Sequence, residues 1–175
     1  MVNVIKLNHI CKVEGHASLT LSIEGKQVKD CQLHAIEGSR YFEGLLLGRQ
    51  AVEASEITSR ICGICSCGHT ICAIQAMENA LGINPTEQTK LLREVITLGE
   101  RIRSHATHLY FLALPDFLGY ESALAMANKY KKEIERALSL IKLGNQIVFT
   151  FGGREMHPVS LTIGGFLKYP EKPAE

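Results

Sequence analysis

The sequence predicts an α+β chain, an N-terminal antiparallel β hairpin or sheet followed by a mainly antiparallel helical bundle. Two patterns carry that reading. Leu19, Leu21 and Ile23 alternate with polar residues, Glu24-Gly25-Lys26 supplies a turn, and Cys31, Leu33 and Ala35 alternate again. Farther on, apolar residues recur every three or four positions through two long stretches, the spacing of helices with one buried stripe. With 175 residues, 46% hydrophobic and 21% charged, the chain has material for a well-buried core and too little polarity for disorder. We expect a single unit over 1–175, β-rich over 1–40, helical over 41–150 and loop-rich over 151–175.

The elements follow in order. A short helix is expected from Tyr41 to Ala54, punctuated by Gly44 and Gly48. From Cys67 to Leu81 almost every position is apolar or small, and Gln75, Glu78 and Asn79 form a narrow polar stripe, so this helix is mostly buried. Gly82 suits its C-terminal cap. Asn84-Pro85-Thr86-Glu87 then offers an N-cap, a proline at the first helical position and a glutamate at the third. The helix that follows carries Leu91, Val95, Leu98, Ile102, Ala106, Leu109 and Ala113 along one stripe, and Pro115 and Gly119 end it. A third long helix is expected from Ser122 to Val148. Its apolar face is Ala127, Tyr130, Ile134, Leu138, Ile141 and Val148, with Lys129–Glu133 and Lys131–Glu135 spaced for ion pairs. The tail from Phe151 reads as loop.

Charge and hydropathy exclude some partners. Lys+Arg is 19 and Asp+Glu is 18, a net charge of +1, which gives no broad attraction to nucleic acid or an anionic membrane. No apolar run reaches membrane-spanning length, and the opening MVNVIKLNHICKVEGH lacks the apolar core of a secretory signal. These features predict a soluble, cytoplasmic location.

The cysteines speak to chemistry. Of Cys11, Cys31, Cys62, Cys65, Cys67 and Cys72, four crowd into RICGICSCGHTIC, a clustering that suits metal or redox chemistry better than a disulfide scaffold. Cys62 and Cys65 are separated by two residues, one of them Gly63, and in a bent loop both sulfurs can face one ion. The loop stands at the start of the buried helix with Arg60 two residues before Cys62, and both features favour thiolate. Thiolates select soft or borderline metals over magnesium or calcium. His69, four residues past Cys65, is placed either to ligate or to donate a hydrogen bond to a ligating sulfur. Spacing alone leaves zinc, disulfide redox and another transition metal open. Cys67 and Cys72 lie too close in sequence to form a second zinc knuckle, and Cys11, Cys31 and Cys72 are expected in the core. His105 and His108 share a helical face, where packing is expected.

Arg60-Ile61-Cys62-Gly63-Ile64-Cys65-Ser66-Cys67-Gly68-His69 resembles the RxCGxCxxxH motif of the large, catalytic subunit of nickel–iron hydrogenases. Lys12-Val13-Glu14-Gly15-His16 resembles that family's R-[IV]-E-G-H segment, Arg40-Tyr41-Phe42-Glu43 its RGFE-type stretch, and Gly152-Gly153-Arg154-Glu155-Met156-His157-Pro158 its GGKxxHP segment, with Gly164-Gly165 following. The soluble cytoplasmic sulfhydrogenase or NAD(P)-linked branch is the most similar. The resemblance implies reversible H2 oxidation by heterolytic cleavage at a Ni-Fe centre whose iron carries CO and cyanide. It implies Cys62 as a terminal nickel thiolate and Cys65 as a thiolate bridging nickel and iron. Glu14 would exchange protons with the thiolates, and His69 would hydrogen-bond the bridging sulfur. Glu43 would serve a remote magnesium site, and His157 would face a small subunit that carries iron–sulfur clusters.

One departure matters. The family draws its other two thiolates from a DPCxxC segment near the C-terminus of a much longer chain, and this sequence has no second CxxC. The expectation is therefore the N-terminal part of a large subunit that needs the C-terminal half as partner, and a 175-residue chain that is inactive alone. Cys67 is additional to the motif and is expected to be a core thiol. Two alternatives stand beside this reading: a non-enzymatic zinc-binding or interaction module, and a complex I-like homologue without hydrogenase activity. The latter branch lacks the paired cysteines that this chain has.

Overall fold

The computed structural model describes residues 2–169 apart from 11, 12, 14, 37 and 39. The chain divides into two compact units, Met1–Gly44 and Leu45–Glu175.

The first unit is a three-stranded antiparallel sheet in the order β1 (Val2–Leu7), β2 (Ala17–Glu24), β3 (Gln27–Ala35). The expected hairpin is β2–β3. It turns at Gly25, whose φ of 60° suits a residue without a side chain. Register aligns Leu7, Leu19 and Leu33 in one row and Ile5, Leu21 and Cys31 in the next, so one face is apolar. The pairing shifts between Ser22 and Ile23, a bulge that adds one residue to β3. Cys31 is exposed, against its expected place in the core.

The helix expected over 41–54 breaks into pieces. α1 (Tyr41–Leu46) is followed by a turn at Gly48, a 3₁₀ turn over Ala51–Glu53 and α2 (Ala54–Ser59). Gly48 has a φ of 75°, which ends the first piece.

The second unit is built on α3 (Ser66–Leu81), α4 (Glu87–Thr107) and α7 (Lys131–Gly152), with α5 (Leu114–Phe117) and α6 (Ala123–Met126) between α4 and α7. α3 ends as expected on Gly82, in the left-handed conformation at φ 69°. α4 starts two residues later than expected. Thr86, not Asn84, is the N-cap, and its hydroxyl accepts from the Thr89 amide at 3.2 Å. Pro115 does not end this helix. The chain passes through a π-helical stretch, His108–Ala113, and Pro115 then sits in the first turn of α5, where its missing N–H costs least.

The helix expected from Ser122 is interrupted. Ser122 caps only α6, and Tyr130, at φ −115° and ψ 42°, stands outside the α conformation before α7 begins. Lys129 falls in that break, 5.7 Å from the Tyr130 ring centre, while Lys131 pairs with Glu135 at 3.7 Å. The tail holds one small antiparallel ladder, β4 (Leu161–Thr162) with β5 (Gly165–Phe166).

α4 lies antiparallel to both neighbours, since Glu100 and Arg93 meet Gly68 and Glu78 of α3 while Gly99 and Arg103 meet Ile147 and Gly144 of α7. The α4–α7 crossing is backbone to backbone: a Cβ on Gly144 would stand 2.5 Å from the Gly99 carbonyl oxygen. The apolar core joins Cys67, Ile71, Ile74, Ile96, Val148 and Leu161, with Phe151 and Phe166 against it. The buried face of α4 differs from the expected stripe. Thr89, Arg93, Ile96, Glu100, Arg103 and Ala106 are buried, whereas Leu91, Leu98 and Leu109 are exposed. Buried charges are tolerated here because each meets a counter-charge or a carbonyl.

Candidate metal centre

The chain leaves α2 at Arg60, turns through Cys62–Cys65 and enters α3 at Ser66. Cys62 is buried and Cys65 half-buried at the N-cap position of α3. The Cys65 amide donates to Cys62 Sγ at 3.3 Å. An N–H aimed at the sulfur three residues before it folds the loop over that atom. The bend expected of this spacing is therefore present. The donor set, two sulfurs with a backbone N–H on one of them, fits a soft or borderline metal.

Three further residues fasten this turn. Glu100 of α4 accepts from the amides of Cys67 at 2.7 Å and Gly68 at 3.1 Å, so a carboxylate from another helix caps the start of α3. Arg103, one helical turn on, donates through Nη2 to the Ile64 carbonyl at 2.9 Å, inside the CxxC turn itself. Its Nη1 donates to the Glu155 carbonyl at 2.6 Å and to Asn145 Oδ1 at 3.1 Å. The third fastening is His157. Its amide donates to Ser66 Oγ at 2.9 Å, and its Nδ1 lies 2.9 Å from the Ser59 carbonyl, so the ring donates there as the Nδ1–H tautomer. His157 takes a φ of 53°, which side-chain-bearing residues rarely adopt. Arg60, Ser59 and His157 line a cavity of ≈ 360 Å³. A second cavity, of ≈ 380 Å³, lies at the far end of α3 beside Glu78 and Arg93, away from the thiols.

Cys67 is wholly buried in the core. Burial, then the nearby Glu100 carboxylate to which its thiol donates, push its pKa far up, against the opposing pull of Arg103 and Ser66. It stays a neutral thiol, as expected of the cysteine outside the motif. Cys72 is exposed rather than in the core. His105 and His108 are exposed as well.

The structure brings Arg60, Cys62, Cys65, His69 and His157 into one neighbourhood. His69 sits one turn into α3, its amide donating to the Cys65 carbonyl at 3.3 Å and its carbonyl accepting from Thr58. Glu43 belongs to the other unit, on α1, and pairs with Arg40 at 3.0 Å. Glu14 and Cys11 lie outside the described residues. Among the described residues no group of three or more His, Cys, Asp or Glu side chains is gathered to hold an ion. A self-contained structural zinc site, which takes about four protein ligands, is not assembled among them. Sequence reasoning missed Glu100, Arg103, Ser59 and Ser66. A signal existed for the first two: Thr89, Arg93, Ile96, Glu100 and Arg103 step by four and three, a helical stripe written partly in charges.

Residues 40–146 match the profile of the nickel-dependent hydrogenase family. Over 168 residues the chain is 45% identical to the alpha chain of sulfhydrogenase 1 of Pyrococcus furiosus, covering 96% of this chain and 39% of that protein. It is 40% identical to the alpha chain of sulfhydrogenase 2 of the same organism, covering 97% and 41%. The Ni-Fe-Se hydrogenase of D. vulgaris Hildenborough superposes with a TM-score of 0.79 at 28% identity, over 98% of this chain and 39% of that one. The chain thus spans about two fifths of the length of the curated relatives it matches.

Proposed function

Because the chain belongs to the nickel-dependent hydrogenase family, we propose that it is part of the large, catalytic subunit of a nickel–iron hydrogenase that oxidises H2 reversibly to protons and electrons. The observation that carries this reading is the Cys62–Cys65 turn at the head of α3, with the Cys65 amide on Cys62 Sγ. Cys62 and Cys65 would hold the nickel–iron centre through their thiolates. When bound, the centre supplies the Lewis acidity and electron capacity that heterolytic H2 cleavage requires. On the motif resemblance, the chain's residues would handle the proton: a cysteine sulfur would receive it and the Glu14 carboxylate would take it onward as a general base. His69 would orient the Cys65 sulfur, and Arg60, two residues before Cys62, would add a positive charge to the binding turn. Two further thiolates come from outside these 175 residues, in the remaining part of the large subunit.

The finer assignments stand on the motif resemblance. The iron would carry CO and cyanide, Glu43 would serve a magnesium site, and His157 would face a small subunit whose iron–sulfur clusters would take the electrons. The 45% identity to a sulfhydrogenase alpha chain supports the soluble, cytoplasmic branch. No helix among the described residues is long and apolar enough to cross a membrane.

The test is metal analysis of the full-length protein in complex with its partners. Nickel and iron in the parent, and their loss in Cys62→Ser and Cys65→Ser, are the expected results; zinc in place of nickel would overturn the reading. Glu14→Gln should suppress H/D exchange while metals stay bound, and unchanged exchange would reject the proton role. The isolated 175-residue chain should not reduce viologen dyes with H2.

A further inference from the structure

We propose that Glu100 and Arg103 are positioning residues for the metal-binding turn. One carboxylate and one guanidinium, a helical turn apart on α4, hold the backbone on both sides of Cys65 and so set where the two sulfurs point. The inference rests on reading Cys62 and Cys65 as nickel ligands.

The geometry is a two-sided grip. Arg103 Nη2 binds the carbonyl of Ile64, the residue before Cys65, at 2.9 Å. Glu100 binds the amides of Cys67 and Gly68, just after Cys65, at 2.7 and 3.1 Å. The two charges lie 3.6 Å apart, so each also holds the other in place. Both are almost fully buried, at 6% and 7% exposure, which removes solvent competition for these bonds. The same Arg103 ties in the segment that carries His157, through the Glu155 carbonyl, and α7, through Asn145. The mount is stiff, because α4 and α7 touch at Gly99 and Gly144, the residues that precede Glu100 and Asn145.

Stability alone is a weak reason for this arrangement. A buried ion pair is commonly no better than well-packed apolar side chains of the same volume. Here Arg103 Nε is also buried without a hydrogen-bond partner, a cost an apolar residue would not carry. What the pair supplies that apolar side chains cannot is direction: it fixes one carbonyl and two amides in a turn whose conformation decides the S–S separation. Groups that orient ligands in this way tune metal affinity and the electronic structure of the site.

The experiment uses the full-length protein in its complex, with Arg103→Lys, Glu100→Gln and the harsher Arg103→Met. Lysine keeps the charge but replaces a planar fork with a point donor, and glutamine keeps one acceptor and loses the charge. The readouts are nickel content, the nickel EPR spectrum, and the iodoacetamide alkylation rates of Cys62 and Cys65 in the metal-free full-length protein. Arg103→Met should lower nickel affinity by about ten- to a hundredfold. Arg103→Lys and Glu100→Gln should shift the EPR spectrum and speed alkylation of both thiols while far-UV circular dichroism stays at the parental value. Parental spectra and parental alkylation rates in both mild variants would overturn the proposal, whether or not Arg103→Met folds. A parent without nickel would instead sink the hydrogenase reading, and the alkylation rates would still decide whether the grip orders the turn.

Discussion

Arg93 and Glu78 meet as a bidentate pair between α4 and α3, Nη1 to Oε2 at 2.9 Å and Nη2 to Oε1 at 2.6 Å, with both side chains 4% exposed. Arg93 also donates to the Thr162 carbonyl, and Glu78 accepts from the Gly164 amide, so the pair ties the β4–β5 turn to the two helices. Removing one partner leaves a buried charge uncompensated. Arg93→Met should destabilise the second unit by about 3–5 kcal/mol, and Arg93→Met with Glu78→Leu should recover most of that loss. Urea unfolding followed by circular dichroism measures both; equal instability of the single and double variants would contradict the pairing argument.

The same carboxylate gives the fold an acid limb. The Arg93 hydrogen bonds hold the Glu78 carboxyl below the ordinary glutamate range, helped by the Gly164 amide and opposed by burial. A depressed folded-state pKa means the unfolded chain takes up a proton first as pH falls. The contribution is therefore complete above the ordinary range, about 4.3, and is lost as pH drops through the lower folded value. Glu78→Gln should flatten the acid side of a stability–pH curve and leave its neutral slope unchanged. An acid limb as steep as the parent's would assign it to other carboxylates.

Gly144 is a steric test of the α4–α7 crossing. An added Cβ would stand 2.5 Å from the Gly99 oxygen, 2.8 Å from the Arg103 amide nitrogen and 2.9 Å from the Arg103 Cβ, all groups fixed in a helix. Gly144→Ala should cost about 1–3 kcal/mol through forced separation of the helices, despite alanine's better helix propensity. A stabilised variant, read by thermal unfolding, would show that the crossing relaxes freely.

His157 separates backbone from side chain. Its φ of 53° favours glycine, while its ring bonds the Ser59 carbonyl. Both His157→Gly and His157→Ala lose the ring, but only alanine keeps the conformational penalty. The glycine variant should be the more stable of the two by about 1 kcal/mol. The reverse order in a denaturant titration would mean the backbone relaxes out of the left-handed region once the ring is gone.

Much of the architecture was legible because it is local. Alternation around Gly25 marks β2 and β3, Gly82 marks the end of α3, and the CxxC spacing ahead of an apolar run marks a tight turn at a helix start. What stayed hidden depends on distant partners. The burial of Arg93, Glu100 and Arg103 is settled by Glu78, by the Ile64 and Glu155 carbonyls and by Asn145, none of them within one turn in sequence. A rule that sends apolar residues inward therefore chose Leu91, Leu98 and Leu109, which are exposed. Pro115 misled for a related reason: the π-helical stretch before it carries the chain on where proline was expected to stop it.

That wider coil over His108–Ala113 lets a single rod answer to two sets of neighbours. Each α-helical residue advances the side-chain direction by about 100°. A looser turn spends an additional residue on the same circuit, so the faces above and below it are out of phase. Upstream the rod is keyed to α3 and α7; downstream, where Pro115 is buried, it is keyed to its own short continuation and to α6. Deleting one residue between His108 and Ala113 would restore a uniform coil and swing Pro115 and Phe117 to different bearings, with the upstream half undisturbed. The insertion works as a clutch between two packing registers.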